Sequence, residues 1–218
     1  DTGPGADKTA YRRLRAFKSN SAKNPSPIPL ENCPWCGTKF NSYSFRLVPS
    51  EAAPQDLRIT CVNASCAFTG DQPLPVLAVD EPIYRRLPCF LIATVDKFAA
   101  LPWIAQTGKL FGLVERFDNA GFYGPSEPGR GNSLGGPLPP PGLIIQDELH
   151  LISGPLGTIA GVYETTISHL AERDLGNGQT LRPKIIASTA TVRQAEAQIQ
   201  ALFGRASSMI FPPAGPDR

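Results

Sequence analysis

Downstream of residue 70, four short apolar runs rich in β-branched residues stand out from a polar background. They are Leu74–Val79, Phe90–Val95, Leu143–Gln146 and Lys184–Ala187. Continuous apolar runs of this length, without polar alternation, predict buried strands of a parallel sheet. Between the last two, Leu156, Ile159, Ala160, Tyr163, Ile167 and Leu170 mark one face of a helix over about 155–172. Pro155 suits its first turn and Gly176 lies just beyond its end. A later helix, about Val192 to Phe203, opens on Thr191 and Gln194 as a capping box and stops at Gly204. Strands alternating with helices predict an α/β layered domain with a mostly parallel sheet.

Upstream, the pattern changes. Tyr11, Leu14 and Phe17 recur at helical spacing, so a short amphipathic helix is expected before the Pro25–Pro29 break. Residues 8–30 carry six basic side chains and no acidic one. Such a stripe serves either as a solvated face or as a phosphate-contacting arm. Residues 121–142 hold 13 Gly or Pro in 22 positions with no periodicity, which predicts a loop directly ahead of the run at Leu143.

Composition narrows the class. The 218 residues include 41% hydrophobic side chains, enough for a core, and 18% charged ones against a usual share of about 25%. A net charge of +2 is too small for a protein that coats nucleic acid by charge alone. No apolar run approaches the ~18–20 residues of a membrane span, so a cytoplasmic protein with no membrane partner is expected. The chain begins at Asp1 without Met, and it is read as a piece of something longer.

Four of the five cysteines form two close pairs, Cys33-Pro-Trp-Cys36 and Cys61-Val-Asn-Ala-Ser-Cys66. Two thiolates on a tight turn clasp one side of a tetrahedral Zn²⁺, and a second pair supplies the other side. Gly37, directly after Cys36, suits the left-handed turn of such a knuckle. With short strands expected at Ser42–Val48 and Leu57–Thr60, residues 31–70 read as a four-cysteine zinc ribbon. Two disulfides in a secreted domain, or a redox Cys-x-x-Cys, are the alternatives; the lack of a signal peptide and the second pair weigh against them. Cys89, between Pro88 and an apolar run, is expected to be a buried core thiol.

The run at Leu143 ends in Asp147-Glu148-Leu149-His150. In an open α/β sheet the C-terminal ends of strands are where ligands bind. There Asp147 would hold Mg²⁺ at nucleotide phosphates and Glu148 would orient or deprotonate an attacking water. A solvated strand end is the plainer alternative. The run at Lys184 ends in Ser188-Thr189-Ala190-Thr191, short hydroxyls able to bond to the acid pair, with Thr191 also serving as a helix cap. The run at Phe90 ends in Thr94-Val95-Asp96-Lys97, where a hydroxyl and free N–H groups can meet a nucleic-acid phosphate.

Together these segments resemble superfamily 2 helicases. Asp147-Glu148-Leu149-His150 looks like the DExH box of a first RecA-like domain, and Ser188-Thr189-Ala190 like the motif that couples hydrolysis to strand movement. Thr94-Val95-Asp96-Lys97 is similar to a phosphate-contacting motif of Ski2-like helicases, with Val95 where Pro is usual. Residues 31–213, above all Asp147-Glu-Leu-His-Leu-Ile-Ser-Gly-Pro155, resemble the helicase component of DISARM anti-phage systems. The resemblance implies an ATP- and Mg²⁺-dependent translocase acting on DNA with partner subunits. In it Asp147, Glu148 and His150 would be catalytic, Ser188, Thr189, Ala190 and Thr191 would couple, and Thr94 and Lys97 would touch nucleic acid.

The resemblance also defines what is missing. A phosphate-cradling loop has the form Gly-x-x-x-x-Gly-Lys-Ser/Thr, and the sole candidate, Gly3 to Thr9, has Asp7 in place of the second Gly. A second RecA-like domain is also absent. The expected organisation is a basic arm at 1–30, the zinc ribbon at 31–70, the later half of an incomplete RecA-like domain at 71–210 and a linker at 211–218. Alone, such a chain is expected not to hydrolyse ATP. A non-catalytic zinc-ribbon binding module on a degenerate RecA-like scaffold is the competing expectation.

Overall fold

The computed structural model describes residues 9–148, 154–188, 199–200, 203–205, 209 and 211. The chain divides into two compact units, Asp1–Leu91 with Phe117–Phe122, and Ile92–Arg116 with Tyr123–Arg218.

The first unit starts with the expected amphipathic helix, α1 (Ala10–Ser19). Thr9 caps it, its hydroxyl oxygen accepting from Arg12 N–H at 3.4 Å. Ala10, Leu14 and Phe17 are buried, one apolar side chain per turn of one face. An antiparallel hairpin follows, β1 (Phe45–Pro49) and β2 (Pro54–Ile59), in the register Phe45↔Ile59, Arg46↔Arg58 and Leu47↔Leu57. Phe45, Leu47, Leu57 and Ile59 point inward, while Arg46 and Arg58 point outward. The ring of Phe17 meets Phe45 edge-on at 5.7 Å, and Phe40 meets Phe45 at 5.4 Å. α1 therefore shares one hydrophobic core with the cysteine loops and the hairpin. The apolar face of α1 is covered, and Arg12, Arg13, Arg15 and Lys18 are exposed.

The apolar run Leu74–Val79 is irregular and not a strand. Pro73 and Pro75 remove two N–H donors, so a ladder cannot form along it. Leu74 nevertheless reaches the core, its N–H donating to Ile59 O at 2.8 Å, and Val79 is buried with it. α2 (Asp80–Arg86) follows, with Asp80 and Glu81 in its first turn and Arg85 and Arg86 in its last, the order the helix dipole favours. Cys89 is exposed, contrary to the expectation of a core thiol.

In the second unit, residues 92–94 of the run Phe90–Val95 lie outside any strand, and Ile92 is 82% exposed. An apolar β-former becomes a strand only when a neighbour completes its hydrogen bonds, and none of the described strands pairs with it. The chain then enters α3 (Val95–Ala100). Three short strands follow, β3 (Arg116–Asp118) and β4 (Gly121–Tyr123), which lie largely in the Phe117–Phe122 segment of the first unit, and β5 (Asn132–Ser133), so the Gly/Pro-rich stretch is not wholly irregular. Lys109 is buried, its Nζ 2.8 Å from Glu127 Oε2, and Arg116 donates to Glu127 O at 3.1 Å. Gly112 stands at φ 87°, where an added Cβ would lie 2.1 Å from Leu138 O, so only Gly fits that turn.

The two remaining predicted strands are present as read. β6 (Leu143–Gln146) leads through α4 (Gly154–Leu170) and a small antiparallel pair, β7 (Arg173–Asp174) and β8 (Thr180–Leu181), to β9 (Lys184–Ala187). β6 and β9 pair in parallel, Leu143↔Lys184 to Gln146↔Ala187. Ile185 and Ala187 pack with Ile199 against buried Phe203, on the predicted later helix, most of which lies outside the described residues. The opposite face shows Leu143, Ile145 and Ile186 half-exposed. The architecture is mixed α/β with small sheets. The mostly parallel sheet expected from four runs is corrected, among the described residues, to the parallel pair β6–β9, and the described hairpins β1–β2 and β7–β8 are antiparallel.

Candidate functional site: a four-cysteine centre and an acidic strand end

The four paired cysteines converge. Each Cys pair sits in a turn closed by backbone hydrogen bonds. Cys33 N–H donates to Thr38 O at 2.8 Å and Gly37 N–H to Cys33 O at 2.9 Å, with Gly37 at φ 74°. Cys61 N–H donates to Phe68 O, and Cys66 N–H to Asn63 O at 2.9 Å. The longer second gap is absorbed by Asn63, whose side-chain oxygen accepts from Ser65 N–H at 2.9 Å.

The sulfurs pair across the two turns: Cys33 Sγ lies 3.9 Å from Cys66 Sγ and Cys36 Sγ 3.5 Å from Cys61 Sγ. All four lie within 4.8 Å of one another, and no disulfide joins them. Four sulfurs about 2.3 Å from a tetrahedral Zn²⁺ are separated by ~3.8 Å, so these distances fit a metal centre with four thiolate ligands. Asn63 N–H points at Cys61 Sγ (3.4 Å) and Phe68 N–H at Cys66 Sγ (3.5 Å), contacts that stabilise thiolate charge.

The thiols differ in acidity. A hydrogen bond between Cys36 Sγ and Thr38 Oγ1 (3.3 Å), with a backbone contact from the same residue, lowers Cys36 to about 6. Burial raises Cys61 to about 12. A metal ion must therefore displace a proton from Cys61, whereas Cys36 gives up its proton more readily.

The second cluster lies where β6 and β9 end side by side. Parallel pairing brings Ser188 alongside Asp147: Ser188 N–H donates to Gln146 O at 2.9 Å, and Ser188 Oγ donates to Asp147 Oδ1. Glu148 N–H points at the same carboxylate oxygen (3.0 Å). The Ser188 bond, with the Glu148 N–H second, holds the Asp147 carboxyl below its ordinary 3.8. Glu148 has φ 54°, a left-handed conformation uncommon outside Gly, which turns the chain sharply as β6 ends. Both acids are exposed. His150, Thr189, Ala190 and Thr191 lie outside the described residues, as does most of the Gly3 to Thr9 segment. Thr94 occupies the N-cap of α3 without a side-chain capping bond, and Lys97 is exposed in the same short helix.

Two contributors escape a reading of sequence alone. Thr38 tunes Cys36, with no signal beyond its place two residues on. The outward pair Arg46 and Arg58 is visible in sequence only as two cations in alternating strands; register alone makes them neighbours.

No family model matches the chain. It is similar to the DISARM protein DrmA of Bacillus paralicheniformis, 45% identical over 195 residues, which is 84% of this chain and 17% of the length of that relative.

Proposed function

We propose that this chain is part of an ATP-dependent nucleic-acid translocase of an anti-phage defence system, carrying the acidic strand end of a RecA-like first motor domain and a structural zinc centre. The observation that carries the reading is the hydrogen bond from Ser188 to Asp147 across a parallel strand pair. It joins the two segments that resemble an acid box and a coupling motif, at the strand ends where α/β sheets bind ligands. The similarity to a DISARM protein supports the defence setting and partner subunits.

In this reading Asp147 holds Mg²⁺ and Glu148 positions the attacking water, with His150 beside them, while Ser188, Thr189, Ala190 and Thr191 relay nucleotide occupancy. Asp147, whose charged form the Ser188 hydrogen bond favours, is suited to a cation. Thr94 and Lys97 contact the nucleic acid, most simply DNA. ATP binding requires a phosphate loop and a second RecA-like domain supplied by other segments of a longer protein. Zn²⁺ at Cys33, Cys36, Cys61 and Cys66 holds the first unit together, and the cytoplasm is the setting for all of this.

The test is Glu148→Gln in the full-length protein. It should abolish DNA-stimulated ATP turnover while leaving ATP binding intact. Turnover undiminished by the substitution would refute the motor. Defence or DNA-dependent function surviving the loss of turnover would favour the second reading, a zinc-ribbon binding module on a non-catalytic scaffold. The compact four-cysteine unit is what favours that alternative.

A further inference from the structure

The outer face of the β1–β2 hairpin carries chemistry that neither the metal centre nor the acidic strand end uses. Its register sets Arg46 directly opposite Arg58, between the inward pairs Phe45↔Ile59 and Leu47↔Leu57. Both guanidinium groups are therefore forced outward by the same alternation that fills the core. Like charges directly opposite one another disfavour strand pairing, so the arrangement works against the hairpin it sits on.

Local acids do not neutralise it. Among the described residues the Arg46 side chain has one ion pair, 3.9 Å to Asp71, whose side chain is almost wholly in solvent. The Arg58 side chain makes no hydrogen bond or ion pair among the described residues. Asp56, two residues before Arg58 and so on the same face, is 3.5 Å from Arg86. Among the described residues these ion pairs set two carboxylates against three guanidinium groups, those of Arg46, Arg58 and Arg86. Guanidinium is the planar, forked donor that matches phosphate oxygens two at a time.

We propose that Arg46 and Arg58 form a phosphate clasp for a nucleic-acid strand laid across the outer face of the hairpin. A two-stranded face encloses nothing, so an isolated anion would stay solvated there. A polyanion gains from each contact through release of its counterions, and two outward forks suit successive phosphates of one backbone. The choice of nucleic acid rests on the motor reading above, but the clasp is a separate site in the other unit. It needs neither ATP nor the acidic strand end.

The experiment uses the full chain loaded with Zn²⁺ and two fluorescent probes, a 30-nucleotide single strand and its duplex, followed by anisotropy between 50 and 200 mM KCl. Arg46→Gln/Arg58→Gln should lower the slope of log affinity against log salt on the single strand by about 1.4, at ~0.7 per lost contact. That equals about a 25-fold loss at 100 mM salt. Its melting temperature should not fall, since a repulsive pair has been removed. The charge-matched control Arg130→Gln/Lys184→Gln, exposed cations of the second unit, should keep the wild-type slope. The clasp is overturned by a wild-type slope in the arginine double variant, by an equal loss in the control, or by a wild-type chain that binds neither probe. Binding of polyglutamate in preference to DNA would overturn it too, pointing to an acidic protein instead. A wild-type slope combined with turnover lost in Glu148→Gln would sink the clasp alone and leave the motor standing.

Discussion

The two units of this chain solve the same problem with different materials. The first buries α1, two cysteine turns and a hairpin around one core in which Leu14 and Ile59 are each 1% exposed. The parallel pair β6–β9 of the second unit covers one face with Ile199 and Phe203 and leaves Leu143, Ile145 and Ile186 half-exposed on the other. Small folds with modest cores often add a metal as a staple, and the cysteine centre sits where the first unit would need one. What the contrast teaches is that packing and candidate chemistry are separable here. Among the described residues, the unit with the closed core holds the four-cysteine cluster, and the acid pair stands at the end of a strand pair with one half-exposed face.

The largest test of that contrast removes the metal. A chelator, or Cys61→Ser, should unfold the first unit, since structural zinc contributes on the order of 10 kcal/mol to small metal-dependent folds. The β6–β9 region should change little. Amide exchange resolved by segment checks this, and equal loss of protection in both units would erase the distinction. The pH dependence has a fixed sign. Cys61, raised to about 12 by burial, must give up a proton to bind metal, so zinc affinity should fall as pH falls and loading at pH 7 should release protons, measurable by calorimetry in two buffers.

Paired truncations sharpen the comparison at the next scale. Leu14→Ala should cost about 2–5 kcal/mol in denaturant unfolding, because it opens a cavity in a closed core. Ile145, 58% exposed, should cost roughly 0.5 kcal/mol or less on replacement by Ala. A large loss at Ile145 would mean that its face is covered in solution.

The smallest effect concerns a single proton. Ser188→Ala removes the hydroxyl that holds Asp147 below 3.8, so its pKa should rise toward that value in an NMR titration, with the fold intact. The folded pKa is depressed, so the stabilisation is present at neutral pH and is lost as pH falls through the folded value. No change on substitution would show that the bond does not persist in solution.

Much of this was legible beforehand. The stripe Tyr11, Leu14, Phe17 specified α1, because helical periodicity records which face meets a core. The runs at Leu143 and Lys184 became strands at the expected residues, and the cysteine spacing foretold four converging sulfurs. The runs at Leu74 and Phe90 have similar composition and did not become strands. In the first, Pro73 before the run and Pro75 within it remove donors. In the second, none of the described strands lies alongside, and a single run carries no record of its neighbour. Cys89 misled for the same reason: an apolar setting in sequence is no measure of burial.

By itself, then, the sequence determined which positions are apolar, which turns can fold back and which residue types can bind metal or phosphate. These properties are local, fixed by side-chain chemistry and by the periods of helix and strand. Tertiary structure alone decided the partners. It crossed Cys33 with Cys66 and Cys36 with Cys61, set Arg46 against Arg58, and brought Ser188 to Asp147 from 41 residues away. Such pairings form only when core burial repays the entropy of closing the loops between them, a balance struck over the whole fold.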